Sequence, residues 1–196
     1  MSNALNQDVL DRLFNDGRTY NGWEDKAVSD ELLTQLYDLT KMGPTSANMQ
    51  PLRLIYVKSD GAKAKLMPAI AEGNVDKVKT APACAILGMD MEFYEHLPEL
   101  FPHADAKSWF EGNDKLIADS AFRNSSMQGG YFILAARALG LDTGALSGFN
   151  NEMVDELFFA GTKIKSNFLC NIGYGLESSL FDRSPRPDFD KFCKII

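Results

Sequence analysis

The segment Lys115–Leu139, KLIADSAFRNSSMQGGYFILAARAL, decides the architecture that the sequence predicts. It contains no proline, and Gly140 directly after it is typical of a residue that ends a helix, so we expect one long helix here. Small residues recur around this helix and would let other elements approach its backbone closely: Ala118, Ser120, Ala121, Ser125, Ser126, Gly129 and Gly130. The helix is therefore expected at the centre of the fold.

Shorter elements are predicted on both sides of this helix from capping residues and apolar patterns. The predicted helices run from the cap Asn6 to Gly17, from the cap Ser29 to Gly43, over Ala62–Ala71, from the cap Asn150 through Phe158, and at the C-terminus up to Ile196. The predicted strands are Leu52–Val57, Ala83–Met89 and Asn167–Tyr174. Strands separated by helices indicate an α+β or α/β domain.

The length and composition limit the class of protein. A chain of 196 residues fits one globular domain over residues 1–196, and 45% hydrophobic with 24% charged residues is ordinary for such a domain. The net charge of −7 disfavours binding to nucleic acid or to anionic membranes. No apolar run reaches the roughly 20 residues that cross a bilayer, and no signal peptide is recognisable, so we expect a cytoplasmic protein.

The cysteines and histidines give no sign of a metal site. Cys84, Cys170 and Cys193 stand alone without C-x-x-C spacing, and the first two lie in apolar segments where buried, inert thiols are expected. His96 and His103 are seven residues apart and lack the H-E-x-x-H pattern of a zinc site. No metal is therefore predicted.

Several common catalytic motifs are absent from the sequence: the G-x-G-x-x-G of dinucleotide-binding folds, the P-loop and the G-x-S-x-G nucleophile elbow. Three polar, irregular segments remain, namely Arg18–Trp23, Gly43–Pro51 and Leu180–Pro187. They offer guanidinium, hydroxyl and amide groups, which is the mixture that a site for flavin mononucleotide (FMN) requires. Composition alone leaves open that these groups are solvated surface.

The order of these motifs along the chain resembles a known family. Arg18, then the segment Gly43–Pro51 (GPTSANMQP), then the long small-residue helix, then Arg183-Ser184-Pro185 is similar to the nitroreductase family of FMN enzymes. Longer stretches, among them Ala121–Gln128 and Asn171–Gly175, resemble the branch that contains the malonic semialdehyde reductase (3-hydroxypropionate dehydrogenase) of bacterial pyrimidine degradation.

The resemblance implies an α+β fold with a central, mostly antiparallel sheet of four strands flanked by helices. It implies a homodimer that exchanges C-terminal tails, adds a fifth strand from the partner and binds FMN at the interface. NADPH or NADH would supply hydride to flavin N5, and a small acceptor such as malonic semialdehyde, a nitro compound or a quinone would receive it. The excursion at residues 91–110 is expected over the active site.

The resemblance also assigns roles to individual residues. Arg18 and Arg183 match the arginines that bind the FMN phosphate, and Tyr20 and Asn21 lie beside the first of them. The other matching positions are Thr45, Ser46 and Asn48, offered by the second subunit; Asn74 and Lys77, at the pyrimidine edge of the flavin; and Ser147 and Gly148, facing flavin N5.

Three features depart from the family pattern, and two further positions are candidates for the acceptor. The basic residue that relatives carry shortly after Arg18 is missing, with Tyr20 and Asn21 in that neighbourhood. Ser147 stands where many relatives carry glutamate, and Phe181 where many carry lysine. A semialdehyde substrate carries a carboxylate, for which Arg123 and His103 are the candidate partners. Two other classes of function stay open: a flavin-binding protein without turnover, and a hydrolase with a Ser and His pair.

Overall fold

The structure is a computed structural model that describes residues 4–196, and its centre is a sheet of four strands. These strands are β1 (Leu52–Val57), β2 (Ala83–Asp90), β3 (Asp142–Leu146) and β4 (Ile164–Gly173). All pair antiparallel in the order β1-β2-β4-β3. β2 and β4 are consequently central, with β2 almost fully buried and β4 buried over its second half, whereas β1 and β3 form the two edges.

Helices cover both faces of the sheet. They are α1 (Gln7–Leu10), α2 (Asp30–Thr40), α3 (Asp60–Leu66), α4 (Val75–Thr80), α5 (Leu97–Leu100), α6 (Asp114–Ala138), α7 (Asn151–Phe158) and α8 (Phe189–Phe192). Because strand side chains alternate between faces, Ala85 and Leu87 of β2 pack with α2 and α6 on one face. Cys84 and Ile86 pack with α3, α4 and α7 on the other.

The long helix α6 lies at the centre, as the sequence predicts. Its residues Phe132, Ala135 and Ala136 enter the main core. A Cβ on Gly129 would lie 2.5 Å from the ring of Phe168 on β4, so only glycine allows this approach of helix to sheet. The prediction of close packing is confirmed at this position.

Residues 91–110 form a third cluster beside the sheet. Phe93, Leu97 and Phe110 pack against Ile117 of α6 and against Met49, and the rings of Phe93 and Phe110 meet edge to face at 4.9 Å between centroids. The excursion is therefore ordered by its own aromatic residues and is anchored on the first half of α6.

The predicted elements agree with the structure in outline, but α4 and α5 were not predicted, β4 begins at Ile164 rather than at Asn167, and four further details differ. β3 was not predicted from the residue pattern; its sequence DTGAL contains Asp and Gly, which strands disfavour, and it becomes a strand by pairing with β4. The first helix begins at the cap Asn6 as predicted, but it continues as a π turn over Asp11–Asn15. α3 ends at Leu66 rather than at residue 71, and α8 ends at Phe192 rather than at Ile196.

Cys84 and Cys170 are fully buried, as predicted, and burial raises the pKa of both thiols, that of Cys170 to about 12. No helix within residues 4–196 combines the length and apolarity needed to cross a bilayer. In the same part of the chain, no three His, Cys, Asp or Glu side chains are grouped so as to hold a metal ion.

Candidate active site

A cationic cleft of about 450 Å³ lies between the segment after α1, the helix α4 and the C-terminal tail. Its charged lining comprises five basic side chains and one acidic side chain: Arg18, Lys77, Arg137, Arg183, Arg186 and Asp182. The whole chain carries a net charge of −7, so this local excess of positive charge is unusual for the molecule. The cleft is suited to an anionic ligand.

Arginine side chains tie the tail to the start of the chain at this cleft. Arg18 donates to the backbone oxygen of Phe181, and Arg183 Nη2 donates to the backbone oxygens of Asn15 at 2.6 Å and Gly17 at 3.3 Å. Sequence segments more than 160 residues apart thereby meet. Arg18 and Arg183, assigned to one phosphate by the resemblance, line the same cleft.

Arg137, at the end of α6, adds a cation that the sequence analysis missed. Its Nη1 donates to the backbone oxygen of Leu13 at 2.7 Å, but its buried Nε has no hydrogen-bond partner in the described chain. Burial, together with the nearby charges of Arg12 and Arg183, lowers the pKa of Arg137. Mutual repulsion and an unsatisfied donor are features that a bound phosphate would relieve, so the residues present fit a phosphate group.

Tyr20 and Asn21, predicted to lie beside Arg18, differ in placement. Asn21 lines the cleft and its Nδ2 is 3.4 Å from the backbone oxygen of Ser179. The ring of Tyr20 packs against Gly175 and lies 6.4 Å from the ring of Trp23, and burial raises the pKa of Tyr20. The Tyr20 side chain thus belongs to the wall behind the cleft.

The pair Asn74 and Lys77 lies next to the segment of Ser147 and Gly148. Asn74 Nδ2 donates to the backbone oxygen of Gly148 at 3.2 Å, and that oxygen also accepts from the amide of Ala71 at 3.0 Å. Lys77, one turn further along, lines the cationic cleft, and Ser147 is exposed. Residues 74–77 therefore reach from the Gly148 segment to the cationic cleft, and this stretch with Ser147 and Gly148 is called here the adjoining wall.

The loop Gly43–Pro51, called here the strained loop, holds an unusual backbone. Ala47, Asn48 and Gln50 have φ angles of 47°, 49° and 41°, a left-handed region that residues other than glycine seldom adopt. Such conformations persist only where the surroundings enforce them, and they concentrate at binding sites. The strained loop contains Thr45, Ser46 and Asn48, all three predicted site residues.

Two amides of α6 hold the strained loop, and the sequence analysis did not single them out. Asn124 Oδ1 accepts from the amide of Ser46 at 2.9 Å, and Gln128 Oε1 accepts from the amide of Leu52 at 2.9 Å. Gln128 Nε2 donates to Gln50 Oε1 at 2.6 Å. Asn124 and Gln128 are only 2% and 3% exposed, and their spacing of four residues on one helix face was the available signal.

An ion pair links the strained loop to the excursion at residues 91–110. Arg53 Nη2 lies 2.6 Å from Asp90 Oδ2, and Arg53 Nη1 donates to the backbone oxygen of Gln50 at 3.0 Å. Asp90 Oδ1 accepts from the amide of Glu92 at 2.8 Å, and Asn48 Nδ2 donates to the backbone oxygen of Leu100 at 2.8 Å. The loop and the excursion therefore form one connected unit.

Within a single chain, the predicted site residues fall into two groups. Arg18, Asn21, Lys77 and Arg183 line the cationic cleft. Thr45, Ser46 and Asn48 lie on the strained loop, and no hydrogen bond or ion pair within residues 4–196 joins them to the residues of the cleft. The acceptor candidates Arg123 and His103 are both exposed, with His103 edge-on to Phe101 at 5.3 Å between ring centroids.

Comparisons with known proteins place this architecture in a family. Residues 18–174 match the sequence pattern of the nitroreductase family. A protein of Burkholderia lata with a provisional NADH dehydrogenase/NAD(P)H nitroreductase name is 61% identical over 192 residues, which are 98% of each chain. Among solved structures, nitroreductase ydfN of Bacillus subtilis, also provisionally named, superposes with a TM-score of 0.88 at 22% identity and covers 97% of this chain and 100% of its own.

A nitroreductase-type protein of Exiguobacterium sibiricum, solved in complex with FMN, superposes with a TM-score of 0.86 at 21% identity and complete coverage of both chains. At these identities the solved structures establish the fold, which is the α+β fold with an antiparallel sheet that the resemblance implied. The match over residues 18–174 and the 61% identity establish the family. This chain belongs to the nitroreductase family.

Proposed function

We propose that this protein is an NAD(P)H-dependent oxidoreductase that binds FMN with the cationic cleft. The observation that carries the proposal is the convergence of Arg18, Lys77 and Arg183 on one cleft of a chain whose net charge is −7. When bound, FMN would supply hydride transfer from NADPH or NADH to an acceptor, so the protein itself needs no nucleophile or metal.

The cleft and its adjoining wall would each contact a different part of the cofactor. Arg18 and Arg183 would bind the phosphate, assisted by Asn21, with Tyr20 supporting the wall behind. Lys77 and Asn74 would donate to the pyrimidine edge of the ring, where reduction places negative charge. Ser147 and Gly148 would face flavin N5, and Ser147 offers a hydroxyl there in place of a carboxylate.

The remaining predicted contacts, Thr45, Ser46 and Asn48, would come from a second copy of the chain. β1 is an edge strand, a groove of about 460 Å³ runs between it and α2, and a second of about 350 Å³ lies between α2, the strained loop and the excursion at residues 91–110. The tail is fully exposed, with Phe192 71% and Ile195 86% accessible. These features support a homodimer in which each tail adds to the partner's sheet, with an interface above about 2,000 Å².

The acceptor that we propose is malonic semialdehyde, reduced to 3-hydroxypropionate in a pocket covered by residues 91–110 of this one FMN-binding domain. A carboxylate in a dry pocket needs a cationic partner, and Arg123 and His103 are the candidates. Both side chains are exposed in the single chain, where a ligand or a partner could reach them.

The decisive experiment is steady-state kinetics of the FMN-loaded protein with malonic semialdehyde, nitrofurazone and a quinone side by side. We expect oxidation of NADPH or NADH with all three and the highest kcat/KM with malonic semialdehyde. Arg123→Met or His103→Leu should raise KM for the semialdehyde and leave quinone reduction nearly unchanged. A higher kcat/KM for nitrofurazone or the quinone would make the protein a broad nitro and quinone reductase, and no NAD(P)H oxidation would make it a flavin-binding protein.

A further inference from the structure

The short helix α4, which carries Lys77, cannot hold its own position. It has six residues, too few for stability in isolation, and it ends at Thr80, with Ala81 extended and Pro82 following. The last four carbonyls of a helix lack partners inside the helix, and the Lys77 carbonyl is one of these. Whatever binds that carbonyl fixes how α4 presents its side chains.

Two buried side chains from distant elements converge on this one carbonyl. Trp23 Nε1 donates to the Lys77 oxygen at 3.1 Å, and Asn171 Nδ2 donates to it at 3.2 Å. Trp23 is 6% exposed and Asn171, on the central strand β4, is 1% exposed. The Lys77 backbone is thereby attached to a central strand of the sheet.

The indole ring of Trp23 is itself closely packed against β4. A Cβ on Gly173 of β4 would lie 3.0 Å from Trp23 Cε3 and 2.6 Å from the ring of Pro82, so glycine is what allows the indole and the end of α4 to meet the strand. Trp23 can therefore act as a fixed donor rather than as a mobile side chain.

The Asn171 side chain has a buried oxygen, Oδ1, without a hydrogen-bond partner in the described chain, and its hydrogen bond to the Lys77 carbonyl explains this orientation of the amide. Turning the amide over would set Oδ1 against the Lys77 carbonyl, so the orientation is determined by that contact. A buried amide whose oxygen is unpaired gains little net stability from its one hydrogen bond, so orientation of the Lys77 carbonyl is the role that this contact points to.

We propose that Trp23 and Asn171 are positioning residues for Lys77. Together they fix the Lys77 backbone so that the Lys77 ammonium lies in the cationic cleft. The inference rests on the proposed function, in that the ligand of the cleft is taken to be FMN.

The test is a double-mutant cycle on FMN affinity, measured by quenching of flavin fluorescence on titration of the apo-protein. Trp23→Phe and Asn171→Leu should each weaken FMN binding by about three- to tenfold, the range for one hydrogen bond. In a Lys77→Met background the same substitutions should change Kd by less than about twofold, because they act through Lys77. Equal factors in both backgrounds would overturn the inference.

A matched control and a second readout separate positioning from general damage. Lys65→Met removes a cation of the neighbouring helix α3 whose Nζ lies 4.8 Å from the centroid of the Phe158 ring and forms no hydrogen bond or ion pair with α4 within residues 4–196, and it should leave FMN affinity unchanged. The melting temperature of the apo-protein should be unchanged or higher in Asn171→Leu. A clear fall in that temperature would assign Asn171 to stability and refute its role in positioning.

Hydrogen exchange of the α4 amides in the apo-protein tests the inference without any ligand. Exchange should accelerate in Trp23→Phe, and unchanged protection would refute the positioning role. If Lys77→Met leaves FMN affinity unaltered, the assignment of the cleft to FMN fails, whereas the exchange result still decides whether Trp23 fixes α4.

Discussion

The cationic cleft and the strained loop are built in opposite ways. The cleft gathers five basic side chains from the chain's first segment, α4, the end of α6 and an exposed tail, and backbone oxygens are what its arginines bind. The strained loop carries almost no charge, but buried amides of α6 and the Arg53–Asp90 pair hold it in a left-handed conformation. The cationic cleft supplies positive charge from side chains on several elements. The strained loop supplies a fixed backbone conformation with no charged side chain.

This difference indicates how each region depends on a partner. Like charges in the cleft repel one another until an anion binds, so the cleft gains order from its ligand. The strained loop is complete before any ligand arrives. In the proposed homodimer, the strained loop of one copy meets the cationic cleft of the other.

The largest effect is expected from removing the end of the tail. A chain that lacks Pro187–Ile196 keeps Arg183 and Arg186 but loses the apolar residues Phe189, Phe192 and Ile195. We expect it to sediment as a monomer and to lose FMN on dialysis, since the strained loop of a partner no longer reaches the cleft. A milder variant of full length, Phe189→Ser with Phe192→Ser, should weaken dimerisation in the same direction. A truncated monomer that retains FMN would contradict assembly of the site between copies.

The next effect concerns charge in the cleft. Arg18→Ala and Arg183→Ala should each weaken FMN binding by about 1.5–3 kcal/mol, the range for hydrogen bonds to a charged group. The measurement is isothermal titration of the apo-protein with FMN at two salt concentrations, and the loss should shrink at high salt. Lys163→Ala, at an exposed position outside the cleft, is the control and should change nothing. If the arginine variants match this control, neither residue binds the phosphate.

Sequence patterns were sufficient for elements that local chemistry determines. The caps Asn6, Ser29 and Asn150 each accept from a backbone amide three residues on, as their positions predicted. α6 was recognisable because nothing in its 25 residues interrupts a helix. β3 was missed because an edge strand with Asp and Gly forms only through its neighbour β4.

The candidate site was predictable only in part, and for a related reason. Arg18, Lys77 and Arg183 could be named from family resemblance, but not their distances, because they are 59 and 106 residues apart along the chain. Asn124, Gln128 and Arg53 were overlooked because an amide or guanidinium acquires its role only from the backbone groups that the fold brings to it. Long-range polar contacts leave no local pattern.

Removing the ion pair between Arg53 and Asp90 tests how the strained loop is held. Arg53→Met leaves the Asp90 carboxylate, whose side chain is 11% exposed, without the Arg53 cation and with His96 Nε2 3.8 Å away, and should lower the free energy of unfolding by about 1–2 kcal/mol. The double variant Arg53→Met/Asp90→Leu should recover part of this loss, because it removes the unpaired charge. Chemical denaturation of the four proteins measures the coupling. Strict additivity would show that the pair does not hold the loop.

The smallest effect is expected at Ala47, where a substitution tests whether the strained backbone conformation contributes to FMN binding. Alanine at a φ of 47° costs about 1 kcal/mol or more relative to glycine, whereas glycine makes the unfolded chain more flexible by about 0.5–1 kcal/mol. Ala47→Gly should therefore stabilise the apo-protein by about 0.5 kcal/mol. The control is Ala104→Gly, at an exposed position without a positive φ. This substitution adds only the flexibility of the unfolded chain and relieves no strain, so it should destabilise the protein by a similar amount.

If the strained loop is pre-organised for FMN, Ala47→Gly should also weaken FMN binding slightly, because a glycine there can leave the left-handed conformation at no cost. Thermal melting and FMN titration of the parent protein, Ala47→Gly and Ala104→Gly measure both effects. At position 47 we expect a higher melting temperature together with weaker FMN binding. A variant that is more stable and binds FMN more tightly would mean that the backbone conformation of Ala47 is a cost of folding and contributes nothing to the site.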